Sequence, residues 1–415
     1  MEHSLLSPLG TLLTQIAMIY ALSRMLGWLF ERMRQPRVMA DIIVGLLLGP
    51  TVLGQLWPEF SAAVFAPNRL NALQAIGDLG AVLFMFIVGL KFDTAVLATR
   101  ARMVFFIGQF TAVLPLLLGA ALAVYLYPRM AGPGVPISGF ALFVGLTIAV
   151  TAFPVLVRIL EESGLVTTSL GTLSLACAAV NDLIVWSLLA LVLAWVRPGG
   201  TVGMGLISVI GAAGFLATMV WVVRPMLHRY VLKRAAGPDT SRLVLALGVT
   251  LASAWVAEWL GIHALLGAFL AGAIMPREQQ FSWSIVRAIE ALTLVLLVPV
   301  YFAFAGLKTD LSVLSSASLG VDLVLIVVVA IAAKMGGALL AARYCGLSWP
   351  ESKMLAVLVN IRGLMGVLLA NIGLEAGLIS PNLFSLLTLM TLITTFMAMP
   401  WLAGYASRAQ QAQTI

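Results

Sequence analysis

Ala178-Ala179-Val180-Asn181-Asp182-Leu183-Ile184-Val185-Trp186 places a carboxylate near the middle of one apolar run, from about Ser169 to Val196. At about 1.5 Å per helical residue, that run is long enough to cross the hydrocarbon of a bilayer. An ionised side chain at such depth costs at least ~2.5–3.5 kcal/mol, and residues that carry one face a bundle interior or a watery cavity. Asp182 is therefore the first candidate for a functional residue. The plainer alternative is a buried acid that is only hydrogen-bonded.

The rest of the chain has the composition this reading needs. Of 415 residues, 61% are hydrophobic and 10% charged, and the mean hydropathy is +1.07. That balance excludes a soluble domain and indicates an all-α polytopic membrane protein. A net charge of +7 would suit nucleic acid. The basic residues, however, lie in short turns between apolar runs, and no polybasic run is interleaved with aromatics, so nucleic-acid binding is rejected. Cys177 falls inside one span and Cys345 at the end of another, which implies no disulfide framework. Met1 to Leu9 lacks a basic region and a cleavage site, so the first run is read as a retained helix.

Apolar windows predict thirteen spans, near 8–31, 38–56, 73–97, 103–127, 138–160, 169–196, 203–232, 242–259, 261–276, 284–307, 315–343, 352–375 and 382–406. The division at Gly261-Ile262 is the weakest of the boundaries. Lys and Arg concentrate in alternate turns, among them Arg32, Arg34, Arg37, Arg100, Arg102, Arg229, Lys233 and Lys353. The other turns hold little beyond Arg69, Arg129, Arg197 and Lys308. This asymmetry predicts an external N-terminus and a cytoplasmic C-terminus, which an odd number of spans satisfies.

The halves echo one another. Phe86-Ile87-Val88-Gly89-Leu90-Lys91-Phe92-Asp93 closes the third span and Phe304-Ala305-Gly306-Leu307-Lys308-Thr309-Asp310 the tenth. Glu162-Ser163-Gly164-Leu165-Val166-Thr167 follows the fifth span and Glu375-Ala376-Gly377-Leu378-Ile379-Ser380 the twelfth. Partners seven spans apart sit upside down to each other in the membrane, and such inverted repeats mark transporters.

Three further polar features fall at mid-span. Lys334 lies nine residues before Arg343, about 13 Å along a helix and beyond comfortable snorkelling, so it is expected to pair with a buried acid such as Asp182, or to hold a neighbouring carbonyl end when no cation is bound. Pro154, in Thr147-Ile148-Ala149-Val150-Thr151-Ala152-Phe153-Pro154, removes a donor and frees carbonyls near Val150 and Thr151. A simple kink is the alternative there. Asn360-Ile361-Arg362-Gly363 is its counterpart in the twelfth span. Two interrupted helices in corresponding halves point to a transport site, where backbone freed at membrane depth lines a cavity. Arg362 is expected to pair with Glu161 or Glu162, or to cap broken-helix carbonyls.

Enzyme chemistry finds little support. His3 and His228 lie at a terminus and in a basic turn, and His263 at a helix junction where a structural hydrogen bond is expected. No HExxH, intramembrane carboxylate pair or Ser/His constellation appears. Glu258 and Asp78, near span ends, are read as solvated or capping residues. Gly45-Leu46-Leu47-Leu48-Gly49-Pro50 and Gly336-Gly337 read as close helix packing, not phosphate loops.

Gln35-Pro36-Arg37-Val38-Met39-Ala40-Asp41-Ile42-Ile43-Val44-Gly45-Leu46-Leu47-Leu48-Gly49-Pro50 resembles the second-helix motif of the cation:proton antiporter-2 family, which includes Kef-type potassium systems and plant cation/proton exchangers. Thr151-Ala152-Phe153-Pro154-Val155-Leu156, Val180-Asn181-Asp182, Gly261-Ile262-His263-Ala264-Leu265-Leu266-Gly267-Ala268-Phe269 and Gly306-Leu307-Lys308-Thr309-Asp310 resemble it too. The likeness implies a thirteen-helix sodium/proton antiporter fold with two crossed, discontinuous helices, here the fifth and twelfth spans. It implies a core domain over about 103–196 and 315–406, and a dimerisation scaffold over about 8–97 and 203–307. No C-terminal regulatory domain is expected. In the family the aspartate matching Asp182 binds cation or proton, and the lysine matching Lys334 balances the core. Asn181, before the acid, resembles the electroneutral members. Two positions depart: Gly366 stands where plant exchangers carry an acid, and Ala178 where some sodium/proton members carry a Ser ligand.

The resulting expectation is electroneutral exchange of Na⁺ or K⁺ for H⁺ at Asp182, with Asn181, Thr151 and Val150 completing an oxygen shell and Lys334 as charge partner. Arg362, Asn360 and Pro154 would support the broken helices. No cofactor is expected, and the setting would be a homodimer in a bacterial inner membrane serving pH homeostasis. An exporter of organic ions or antibiotics on the same fold, a gated cation channel, and a membrane enzyme or sensor are the other classes.

Overall fold

The computed structural model describes residues 7–33, 37–91, 94–166, 168–196, 210–211, 213–233, 239–260, 263–276, 288–308 and 317–413. Gln35-Pro36, Phe92-Asp93, Thr167, Gly261-Ile262, Thr309-Asp310 and the starts of the seventh and tenth spans lie outside the described residues. The regular elements described are helices, in the order α1 (Pro8–Arg32), α2 (Arg37–Leu48), α3 (Leu53–Leu56), α4 (Pro58–Val64), α5 (Asn71–Lys91), α6 (Thr94–Met130), α7 (Ile137–Ala149), α8 (Phe153–Glu162) and α9 (Ser169–Val196). They continue as α10 (213–233), α11 (Asp239–Trp259), α12 (Ala264–Ile274), α13 (288–307), α14 (Ala317–Tyr344), α15 (Trp349–Val359), α16 (Gly363–Glu375) and α17 (Pro381–Gln413).

Eight of the helices described are long and apolar enough to cross a membrane: Pro8–Arg32, Arg37–Leu56, Asn71–Leu90, Arg100–Met130, Ser169–Leu193, Thr240–Trp259, Leu319–Tyr344 and Pro381–Leu402. Shorter apolar helices, among them Ile137–Ala149 and Met365–Glu375, account for the interrupted spans. Local chemistry sets the ends. Ser7 caps α1 by accepting from Gly10 N at 3.1 Å, with Pro8 in the first turn, where its missing N–H costs nothing. The third predicted span was carried to 97, but α5 stops at Lys91, and α6 begins at Thr94 and bends at Arg100 (φ −122°, ψ 19°). Single π-type turns at Met219–Val223 in α10 and Thr293–Leu297 in α13 have no counterpart in the apolar pattern.

The chain forms two compact units: Met1–Gln74, Val96–Val185 and Phe302–Ile415 in one, Ala75–Ala95 and Trp186–Tyr301 in the other. In the first, α1 packs on α2, α14 on α15 and α17, and α16 on α17, α7 and α8. In the second, α11 packs on α12. Each unit contains a crossing that only glycine allows. A Cβ on Gly306 would come within 2.7 Å of Leu46 N and 2.8 Å of Gly45 Cα; one on Gly89 would come within 2.9 Å of Ala273 N and 3.0 Å of Gly272 Cα. Gly89 and Gly306 occupy the same place in the repeated Gly-Leu-Lys endings. The repeat read from short motifs thus recurs as a repeated contact.

Candidate functional site at two broken helices

The fifth span is broken where Pro154 predicts. α7 ends at Ala149; Val150 (φ −61°, ψ 145°) is extended, and Ala152 (φ −86°, ψ 82°) precedes α8. Pro154 lies in the first turn of α8, where a backbone donor would have no intrahelical partner. The twelfth span breaks with different chemistry. α15 ends on Asn360, and α16 starts after Arg362 with Gly363 at φ 40°, a left-handed conformation that favours glycine.

The breaks lie against each other. Ala152 N donates to Ile361 O at 2.8 Å, and Thr151 Oγ1 donates to Val359 O at 3.3 Å. A Cβ on Gly363 would come within 3.0 Å of Val155 Cβ and 3.2 Å of Ala152 Cβ. Thr395 Oγ1 accepts from Gly363 N at 2.9 Å. Backbone groups freed by one break are thus answered by the other, which is how non-helical chain survives in an apolar bundle. This is the crossing of discontinuous helices expected for the fifth and twelfth spans.

Lys334 of α14 is fully buried, and its Nζ donates to Thr111 O of α6 at 2.9 Å and to Ala149 O at the end of α7. Of the two expected partners, Asp182 and a neighbouring carbonyl end, the ammonium takes the carbonyl end, and its hydrogen bonds go to backbone oxygens rather than to the carboxylate. The reason is the helix break. The last carbonyls of α7 lack intrahelical partners and carry the negative end of its dipole, so they hold a cation without a second buried charge in contact.

Asp182 and Asn181 occupy the middle of α9, 2% and 0% exposed. Asp182 Oδ1 and both amide atoms of Asn181 have no hydrogen-bond partner. The neighbouring turn of α9 rests on α6, since a Cβ on Gly108 would come within 2.7 Å of Val180 Cγ1 and 3.4 Å of Cys177 O. One turn further along α6, Thr111 holds Lys334. The residues read from sequence are therefore linked in one chain of contacts: α9 to α6, α6 to Lys334, Lys334 to Ala149, and the first break to the second.

Arg362 needs a correction as well. Its Nη2 donates to Ala330 O at 2.7 Å and its Nη1 faces Met390 Sδ at 2.8 Å, so it holds the interior of α14 and α17. Glu162 is engaged elsewhere, by Arg158 Nε at 2.8 Å and Arg37 N at 2.7 Å. A guanidinium at the start of α16 lies in the middle of the bundle, too deep for the end of α8. Val150 and Thr151 are fully buried at the first break. A Cβ on Gly366 would come within 3.0 Å of Thr391 Cγ2, so a side chain there would require Thr391 to shift.

Thr111, Thr391 and Thr395 were not singled out by sequence, although threonines spaced by three and four along α17 mark one polar face in an apolar helix. In the second unit, Glu258 Oε2 accepts from Ala264 N at 2.9 Å and His263 Nδ1 from Leu265 N at 3.3 Å. Both cap the start of α12, the structural roles expected of them. Among the described residues no three His, Cys, Asp or Glu side chains gather as a metal site.

The chain as a whole is similar to known transporters. The family model for "Sodium/hydrogen exchanger, transmembrane" matches residues 17–405. Cation/H(+) antiporter 17 of Arabidopsis thaliana is 36% identical over 96% of this chain and 49% of its own length. Na(+)/H(+) antiporter NhaS4 of Synechocystis sp. is 33% identical over 94% of this chain and 95% of its own, and K(+)/H(+) antiporter 1 of Saccharomyces cerevisiae 32% over 95% and 46%. The chain spans about half the length of the plant and yeast relatives. The sodium proton antiporter MjNhaP1 from Methanocaldococcus jannaschii shares the fold, with a TM-score of 0.71, 17% identity, and 97% and 98% of the two chains covered. With the match running almost from end to end, this integral membrane protein belongs to the sodium/hydrogen exchanger transmembrane family.

Proposed function

We propose that the protein exchanges a monovalent cation, Na⁺ or K⁺, for H⁺ across a membrane, one for one. The observation that carries the proposal is Asp182: a buried carboxylate with an unpartnered oxygen, set in the same unit as two broken helices. The site holds either a proton or a dehydrated cation. When the cation enters, the proton leaves the carboxyl oxygen to water on the open side; on the other side the order reverses. Exchange then requires only that the site opens alternately and that the empty charged site does not cross. Asn181, Thr151 and the carbonyls near Val150 supply neutral oxygens to the ion.

Lys334 is the charge partner in this reading: it holds the carbonyl end of the first break and tunes the pH at which exchange runs. Asn181 adds no second charge, which supports electroneutral exchange. The names of the relatives, antiporters of Na⁺, K⁺ or an unspecified cation with H⁺, support the reaction and leave both ions as substrates to test. The further parts of the proposal are a homodimer, a core over 103–196 and 315–406 moving against a scaffold over 8–97 and 203–307, a bacterial inner membrane with the N-terminus outside, and a role in pH homeostasis.

The test is dye-reported pH change in everted vesicles on addition of Na⁺ or K⁺. Wild type should collapse an imposed gradient and Asp182→Asn should not, with no response to an imposed voltage. Retained activity in Asp182→Asn would rule the mechanism out. Currents faster than an alternating-access cycle would favour a channel, and cation-independent efflux of an organic ion would favour an exporter.

A further inference from the structure

Asn360 closes the first half of the second broken helix, and it is 0% exposed. Neither its Oδ1 nor its Nδ2 has a hydrogen-bond partner. An amide buried in that state is destabilising, because the hydration it has lost is not replaced by any bond. Capping does not account for it. The backbone N–H of Asn360 returns to Leu358 and Val357 carbonyls, so the side chain takes no part in ending α15.

Its neighbours fix where the residue sits. Val359 O accepts from Thr151 Oγ1, and Ile361 O accepts from Ala152 N, so the residues on either side of Asn360 both touch the first break. Asn360 is thus held at the crossing itself. It also holds the same position in its half-helix as Val150 in the other, the residue after the last helical turn. A leucine or alanine there would end the helix as well and leave nothing unanswered.

We infer that Asn360 is a ligand of the transported cation, contributing its side-chain oxygen from the second broken helix while Val150 and Thr151 contribute from the first. The inference rests on the cation/proton exchange reading and assigns the ion an oxygen from each inverted half. The ion would then lie between the two breaks and the Asn181-Asp182 turn. Its selectivity would depend on the distance between the breaks, because a neutral amide with no other partner can follow an ion of one radius better than another.

The experiment is a titration of vesicle exchange with Na⁺, K⁺ and Li⁺, beside cation-dependent thermal shifts of the purified protein. Asn360→Ala should raise the KM for the preferred cation about tenfold, the loss of about one ligand, and lower the maximal rate by less. It should also change the ratio of KM values among the three ions. Asn360→Ser, which keeps an oxygen on a shorter arm, should recover part of the affinity and covers the case in which the alanine variant does not fold. Unchanged KM values and ion ratios in both variants would overturn the inference and return Asn360 to a structural role. So would a lowered Tm with the cation-dependent shift intact. If wild type moves no protons on cation addition, the exchange reading itself fails, and that outcome is separate from any result with Asn360.

Discussion

The two broken helices do the same geometric work with opposite chemistry. The first is interrupted by a proline, and its exposed carbonyl end is neutralised by an amine from another helix, Lys334. The second is interrupted by a glycine at positive φ, and the charge beside it, Arg362, belongs to the break itself and reaches outward to Ala330. Their starts differ as well. α15 begins with a capping box in which Ser348 Oγ and Glu351 answer each other's backbone N–H groups, whereas α7 begins after Pro136 without a side-chain cap. An inverted repeat therefore preserves the position of a discontinuity, not the residue that makes it. Proline suffices where the following turn can start at once; glycine is required where the other chain passes too closely for a Cβ.

This contrast can be broken at its tightest point. Gly363→Val puts a β-branched residue at φ 40° and a Cβ against Val155 and Ala152. Left-handed strain and overpacking together should cost about 2–5 kcal/mol. Pro154→Ala, at the other break, should cost less than about 1 kcal/mol, since the hydrogen bond from Ala152 N to Ile361 O keeps the break open. Thermal unfolding in detergent compares them, and equal Tm losses would show that glycine and proline are not distinct solutions.

Lys334→Met comes next in size. It leaves the carbonyls of Ala149 and Thr111 without their buried donor, at about 1–3 kcal/mol. It should also shift the pH profile of exchange or lower its turnover. An unchanged pH profile and turnover in vesicles would separate Lys334 from the site and leave it only a cap for the first break.

A smaller effect than that of Lys334→Met is expected at the entrance of α15. Ser348→Ala removes the cap and should cost about 1 kcal/mol. Hydrogen bonds from the Ser348 hydroxyl and backbone N–H hold the Glu351 carboxyl below its ordinary range. A depressed folded value means that its contribution is present above the unfolded carboxylate pKa and lost as pH falls through the lower folded one. The Tm gap between wild type and Ser348→Ala should therefore narrow under acid conditions to the part owed to the bond from Glu351 N to the Ser348 hydroxyl, and a gap of constant size would assign the cap no ionised partner.

The recurrence of Gly-Leu-Lys endings and the mid-span Asp182, Lys334 and Pro154 were legible because each violates an apolar background. Composition alone required that such groups meet something inside the bundle. What they meet was not legible. Charge arithmetic offers Lys334 either Asp182 or a carbonyl end and cannot choose between them; once α7 stops at Ala149, its freed carbonyl takes the ammonium. Arg362 was assigned to the carboxylates at the end of α8 by charge alone, yet its depth puts it against Ala330 and Met390.

The sequence by itself determined that this is a helical membrane protein with inverted halves, a lone acid at mid-depth and two interrupted spans, because hydropathy, proline and glycine act locally along the chain. Only the tertiary structure decided that the interruptions lie on each other, that Lys334 answers one of them, and that Asn360 is left with nothing to bond. Those outcomes depend on which backbone groups are freed and which distant side chains arrive within about 3 Å of them. No local pattern encodes that distance.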